Sequence, residues 1–189
     1  WGLITVKSMT LGSIEPSAWV CSHLNQIKPG GTVLDYACGS GRHALYLAQQ
    51  GFKVHAIDRD QQALTELARV ASERHLPITT QVLDLETGES PISRLGRYDA
   101  VLVTNYLYRP YLLDLCDLLN PDGVLIYETF ALGNERFGKP SNPDFLLKPN
   151  ELLAFSQKMR ILAFEDLLVD DPKPACVQRV CAIPLQSRP

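Results

Sequence analysis

The stretch TVLDYACGSGRHALYLAQQG, Thr32 to Gly51, decides the fold. Thr32 to Ala37 is a short, mostly apolar run of strand type. Cys38-Gly39-Ser40-Gly41 is a turn, and the residues after it place Ala44, Leu45, Leu47 and Ala48 at helical spacing. Gly51 ends the helix, and Phe52 to Ile57 follows as a second strand. Strand, glycine turn, helix and strand in this order make the half-fold that holds a nucleotide at the carboxyl ends of parallel strands. Gly39 and Gly41 can take positive φ and let a ligand approach the backbone. A helix starting near Gly41 aims unpaired N–H groups at that ligand.

Two nucleotide motifs fail here. A phosphate loop of the GxxxxGK[ST] kind is excluded, because no Lys-Ser or Lys-Thr pair follows the glycines. The dinucleotide fingerprint GxGxxG fits poorly, since the spacing gives Gly39, Gly41 and then Ala44. An acid, Asp35, already sits inside the first strand. A pyrophosphate site has no use for that carboxylate, whereas a ligand with a cationic amino group does. The segment VLDYACGSGR resembles the first motif of the class I S-adenosylmethionine-dependent methyltransferases, hydrophobic-Leu-Asp-x-x-Cys-Gly-x-Gly.

Outward from this unit, strand and helix alternate. The second strand ends in Asp58, about 20 residues past the glycine turn, where a carboxylate can accept both ribose hydroxyls. NAD enzymes use the same device, and the other reading of Asp58 is an N-cap, for which Asp60 is also available. Gln61 to His75 reads as a helix, with Leu64, Leu67, Ala68 and Ala71 on one face. Ile78 to Leu83 is a third strand, ending in Asp84-Leu85. Tyr98 to Thr104 is a fourth, running out into Asn105-Tyr106-Leu107-Tyr108-Arg109. Tyr111 to Leu119 reads as a short helix, Asn120 to Gly123 as a turn, and Val124 to Tyr127 as a fifth strand before Glu128. Arg160 to Val169 and Ala175 to Ile183 are late strands with no clear helix between them. The expected fold is a single α/β domain over residues 1–189. Its doubly wound sheet is seven-stranded and mostly parallel, closed by an antiparallel C-terminal hairpin. That is the Rossmann-like fold of the methyltransferases which the first motif resembles.

Before the first strand, Ile14 to Ile27 reads as a helix with Trp19, Val20, Leu24 and Ile27 on its apolar face. Residues 1–12 carry little signal and are expected to be partly disordered. Trp1 is not an initiator, so a start inside a longer gene product is expected. Residues 131–148, ALGNERFGKPSNPDFLLK, are long for a connection within a compact domain. They read either as a lid over the acceptor pocket or as an Ω-loop packed by its own side chains. Together with NYLYRP and YETF upstream, this stretch resembles a bacterial methyltransferase subgroup close to the tellurite-resistance type.

Composition bounds the function. The 189 residues are 46% hydrophobic and 21% charged, with formal net charge -3 and pI near 5.8. An acidic chain lacks the electrostatic footprint of a nucleic-acid binder. No apolar run approaches a membrane span, and no basic n-region with an apolar h-region opens the given sequence. The five cysteines form no CxxC pair or Cys/His cluster, so no metal site is expected. The odd count fits free thiols and a cytoplasmic enzyme.

The resemblance implies S-adenosylmethionine as cofactor. Asp35, with the backbone of Ala37, Gly39 and Gly41, would hold its methionine part. Asp58 would hold the ribose, Asp84 and Leu85 the adenine, and Asn105 would contact either cofactor or acceptor. The family's Asn/Asp-Pro-Pro-Tyr is replaced here by Asn-Tyr-Leu-Tyr, which argues against methylation of base amino groups. A small-molecule acceptor is the expected partner. Arg109 and Arg136 are candidate clamps for an anion, and a thiol is the other candidate nucleophile. Tyr108, His43 and Glu128 are candidate proton acceptors. A cofactor-binding module without catalysis, or an enzyme acting on RNA or protein, stay open as alternatives.

Overall fold

The computed structural model describes residues 15–171 and 173–185. The expectation for residues 1–12 lies outside the described residues. These form one seven-stranded sheet in the order β3-β2-β1-β4-β5-β7-β6. The strands are β1 (Thr32–Tyr36), β2 (Lys53–Asp58), β3 (Ile78–Val82), β4 (Tyr98–Thr104), β5 (Leu119–Phe130), β6 (Met159–Val169) and β7 (Ala175–Pro184). The first five run parallel. β7 joins β5 antiparallel, and β6 closes the edge against β7. The expected architecture is therefore present, hairpin included.

Burial explains the central strands. Val33, Leu34, Asp35 and Tyr36 are all buried, because β1 is covered on both faces, as a parallel strand must be. One face packs Leu34, Tyr36, Val101, Val103, Leu125 and Tyr127 under Leu115, Leu118 and Phe155. The other packs Val33, Ala100, Leu102 and Ile126 under Trp19, Val20, Leu47, Leu64 and Leu67. The covering helices on this second face are α1 (Ala18–Ser22), α2 (Arg42–Gln49) and α3 (Gln61–Glu73). Asp60 caps α3, its carboxylate accepting from the N–H groups of Gln62 (2.9 Å) and Ala63 (3.0 Å). Order reverses at β1, whose neighbours are β2 and β4. The crevice outside their carboxyl ends is where open α/β sheets bind ligands.

Three expectations are corrected. The helix expected over Ile14 to Ile27 is α1 followed by a 3-10 turn, Leu24–Gln26. The Ser22 hydroxyl (2.9 Å) and the His23 Nδ1 (2.8 Å) both engage the Trp19 carbonyl. The His23 N–H turns instead to Val20, one residue closer, and the α-helix stops. Tyr111 to Leu119 is not α-helical; Leu113–Leu118 is a 3-10 segment. Leu112, Leu115 and Leu118 are all buried, and a spacing of three matches the three residues per turn of a 3-10 helix. Asn120 to Gly123 lies within β5, where the pairing with β4 jumps from Tyr98↔Leu119 to Ala100↔Val124.

Residues 131–148 pack on themselves and on the sheet. Leu146 and Leu147 are buried, and Ala131 bridges Leu147. Backbone bonds Leu132 N–H to Leu147 and Leu147 N–H to Phe130, both 2.9 Å, pin the ends together. The buried Asn134 side chain donates to the Pro140 carbonyl at 3.1 Å. These are the marks of an Ω-loop. α4 (Glu151–Phe155) follows it.

Candidate active site

The crevice begins at Asp35. Its neighbours in β1 place its side chain inside the molecule, 1% exposed. Neither carboxylate oxygen has a hydrogen-bond partner. Burial raises the Asp35 carboxyl to about 7, against the pull of the Ala44 N–H and the Arg42 charge and with a further push from Asp58. The Ala44 N–H acts through its dipole and closes no well-aligned bond. A buried carboxylate without partners is costly, and a cation beside it removes the cost.

The glycine turn supplies shape more than donors. The Gly39 N–H donates to Asp58 at 2.8 Å, and the Gly41 N–H to the Cys38 carbonyl at 2.9 Å. These two N–H groups hold the turn itself. Gly41 has φ 77°, and a Cβ there would stand 2.5 Å from Leu67. Nothing lies within 4 Å of where a Gly39 Cβ would be, so that side is open. Ala37 also has positive φ, 59°, and turns the chain into the crevice.

Beyond the turn lies a cavity of about 280 Å³ lined by Ala37, Asp58, Leu83, Asp84, Leu85 and Asn105, with Arg59, Glu86 and Tyr106. The first six include five of the residues expected to hold a cofactor. Asp58 receives the Gly39 and Asp60 N–H groups, one on each oxygen, which aims its remaining lone pairs. Asp84 is fixed by the Glu86 N–H at 2.9 Å. Asn105, φ 55°, donates its N–H to the Glu128 carbonyl at 2.9 Å. The Tyr127 hydroxyl donates to the Tyr106 carbonyl at 2.7 Å. These two bonds direct Tyr106 to the cavity, edge-on to Tyr36 at 5.8 Å, with its hydroxyl buried and unpartnered.

Arg59 and Glu86 were missed by sequence reasoning. Each lies one or two residues past an acid that was named, so the signal was position beside a motif. Tyr106 belongs to the stretch after the fourth strand that the sequence analysis follows out of the sheet. Arg59 and Glu86 face each other at 3.9 Å at the cavity wall.

Three candidates for the acceptor site make bonds within the protein. Tyr108 donates to the Glu86 carbonyl at 3.4 Å and so braces the cavity wall. Arg109 donates to both Glu151 oxygens (2.6 and 3.0 Å) and to the carbonyls of Asp144 (2.5 Å) and Leu146 (2.8 Å). Its guanidinium ties the 131–148 loop to the end of β4 and has little left for an anion. Arg136 donates to its own loop at Gly133. Phe137 and Phe145 are 40% and 52% exposed and are not among the residues lining the cavity.

His43 and Glu128 meet on the other side of Asn105. His43 is 2% exposed, and burial, with Arg42 nearby, pushes it down to about 3, so it stays neutral. Its Nε2 accepts from the Ser17 N–H at 3.1 Å. That makes Nδ1 the protonated nitrogen, donating to the Thr104 hydroxyl at 3.2 Å. Glu128 Oε1 accepts from the Ser17 hydroxyl at 2.7 Å. Its Oε2 is paired with Arg179, a close charge contact without hydrogen-bond alignment. Arg179 also donates to Glu165 at 3.0 Å.

The sheet that brings these groups to one crevice has counterparts in known proteins. Residues 14–111, more than half the chain, match the family of the tellurite resistance protein TehB. The chain belongs to this family. The solved TehB of Haemophilus influenzae shares its fold, with a TM-score of 0.73 at 20% identity over 88% of this chain and 61% of that one. A ubiquinone biosynthesis O-methyltransferase of Rickettsia akari is 30% identical over 58% of this chain and 44% of its own length. A tRNA U34 carboxymethyltransferase of Shewanella sediminis is 30% identical over 77% of this chain and 49% of its own length. This TehB-family chain thus spans about half the length of the curated relatives it matches.

Proposed function

We propose that this chain is an S-adenosylmethionine-dependent methyltransferase that acts on a small molecule. The observation that carries this is Asp35, buried and unpartnered beside an open glycine turn. The amino group of the cofactor's methionine part fits that need. Asp58 would accept the ribose hydroxyls, and Asp84 with the Leu85 backbone would read the adenine edge. Asn105, at the end of β4, would face the sulfonium. When bound, the cofactor supplies an activated methyl group. The chain's part is to hold the acceptor lone pair in line with it, about 3 to 3.5 Å away, and to exclude water.

Support for a small acceptor comes from the acidic chain, unfavourable for RNA phosphates. Arg109 spends most of its donors within the protein, and Arg136 is not among the residues lining the cavity, so the acceptor read here needs no negative charge. A thiol or hydroxyl meets that description. A cytoplasmic setting belongs to the same proposal, supported by five free thiols; among the described residues no helix is long and apolar enough to cross a membrane. Calorimetry tests the cofactor: S-adenosylhomocysteine should bind, and NAD and ATP should not. Binding of NAD without S-adenosylhomocysteine would end this reading. A cofactor-binding module would bind the ligand yet transfer no methyl to any thiol, hydroxyl or amine.

A further inference from the structure

Ser17 carries two hydrogen-bond donors, and the chain spends both on lone pairs brought from distant elements. Its N–H goes to His43 Nε2 and its hydroxyl to Glu128 Oε1. Both recipients are buried, at 2% and 7% exposure. Each is braced from behind: Thr104 fixes the His43 tautomer, and Arg179 holds the far oxygen of Glu128. Ser17 also caps α1, accepting the Trp19 N–H on its hydroxyl oxygen at 3.2 Å. That cap uses a lone pair and needs neither donor. Two oriented acceptors converging on one residue are more than a helix cap requires.

The place matters as much as the pattern. Thr104, which touches His43, pairs in register with Glu128 and is followed directly by Asn105 at the cavity wall. Ser17 therefore lies beside the carboxyl end of β4 and its partner residue in β5, next to the residue that precedes the cavity wall. Its N–Cα–Cβ–Oγ frame is a 1,2-amino alcohol, with two donors on adjacent carbons.

We propose that Ser17 stands in for the polar head of the methyl acceptor, and that the acceptor carries two vicinal donors, as a 1,2-amino alcohol, a 1,2-diol or a catechol does. Residues 15–17 move aside, and the incoming donors take over His43 Nε2 and Glu128 Oε1. A hydroxyl or neutral amine that donates its hydrogen to either group keeps a lone pair for the methyl. As that lone pair bonds the methyl carbon, the S–CH3 bond breaks to leave S-adenosylhomocysteine, and the proton passes to Glu128 Oε1. A single-donor compound leaves one buried acceptor unpartnered, which costs binding. An anion places charge against Glu128. This substrate class rests on the methyltransferase reading above.

The test uses the full chain, with catechol and ethanolamine as probes and phenol and benzoate as controls. The His43 ring nitrogen signals and the amide exchange of residues 15–22 are followed by NMR, with and without S-adenosylhomocysteine. Catechol or ethanolamine should shift the His43 Nε2 signal and speed exchange at Ser17 and Trp19; phenol and benzoate should not. Ser17→Ala removes the competing hydroxyl and should tighten catechol binding about tenfold. Ser17→Asp keeps a cap for α1 but supplies no hydroxyl donor, and should tighten it in the same direction. An equal response to phenol or benzoate, no response to either probe, or tightening in neither variant would overturn the proposal. Calorimetric failure to bind S-adenosylhomocysteine instead strikes the methyltransferase reading, and the titration without that ligand still decides the role of Ser17.

Discussion

The crevice has two sides, and they hold their polar groups in opposite ways. On the side of β1 to β3, Asp35 is unpartnered, while Asp58 and Asp84 are fixed only by neighbouring N–H groups at a cavity wall. On the side of β4 and β5, His43 and Glu128 Oε1 are engaged, and the residue that fills them, through its backbone N–H and its hydroxyl, belongs to the same protein. The first side leaves its acids open, because they stand at or near strand ends that the fold itself positions. The second is closed by a short segment packed across it. A shared cofactor and a chain-specific acceptor would produce that contrast.

The largest expected effect breaks the comparison at Asp35. Its folded value near 7 lies above the ordinary carboxylate range. Between about pH 4 and 7 the folded protein therefore binds a proton that the unfolded chain has released. Stability should fall as pH rises through that window, by up to about 4 kcal/mol, and then level off. Affinity for S-adenosylhomocysteine should move the other way, rising toward pH 7 as the ionised carboxylate meets the ammonium. Asp35→Asn should flatten both profiles. Urea titrations and calorimetry across pH check this, and a flat wild-type stability profile would contradict the buried, unpartnered carboxylate.

Gly41→Ala comes next. A Cβ there meets Leu67 at 2.5 Å and must adopt φ 77°. The expected loss of stability is about 2 to 4 kcal/mol, read by urea denaturation. Gly39→Ala has room for its methyl group and should lose less, through its positive φ alone.

Asp58→Ala should weaken S-adenosylhomocysteine binding roughly tenfold to a hundredfold, from about 1.5 to 3 kcal/mol of charged hydrogen bonding. It should also cost about 1 kcal/mol of stability, because the Gly39 and Asp60 N–H groups lose their acceptor. Wild-type affinity in this variant would remove the ribose assignment.

The smallest effect on the site is expected at Arg109. Arg109→Ala removes the tie between Glu151 and the 131–148 loop. Stability should drop by about 1 kcal/mol, and cleavage near Lys139 in limited proteolysis should speed up. Cofactor affinity should not change. A selective rise in acceptor KM with unchanged proteolysis would return Arg109 to the acceptor site.

Much of the cofactor side was legible in the sequence because its signals are local. Asp35, Asp58, Asp84 and Asn105 each end a strand or sit one turn from its end, and strand ends follow from apolar runs and their terminators. The glycine turn was legible in the same way, although the destination of its N–H groups was not. Leu112, Leu115 and Leu118 show the limit of periodicity: apolar residues three apart fit one face of an α-helix nearly as well as a 3-10 helix, and only the packing against β4 and β5 selected the latter. Arg109 shows a second limit. A cation after β4 is well placed for an anion, but its partner, Glu151, arrives from 42 residues away.

The order of residues determined the strands and the acids at or just beyond their ends, since these depend on hydrophobic period and on glycine at fixed places. Tertiary structure alone decided which polar groups were left open and which were filled. Ser17 reaches His43 across 26 residues and Glu128 across 111, and no local pattern records such a meeting. A side chain's chemistry is written in its own position, whereas its availability depends on what the rest of the fold brings against it.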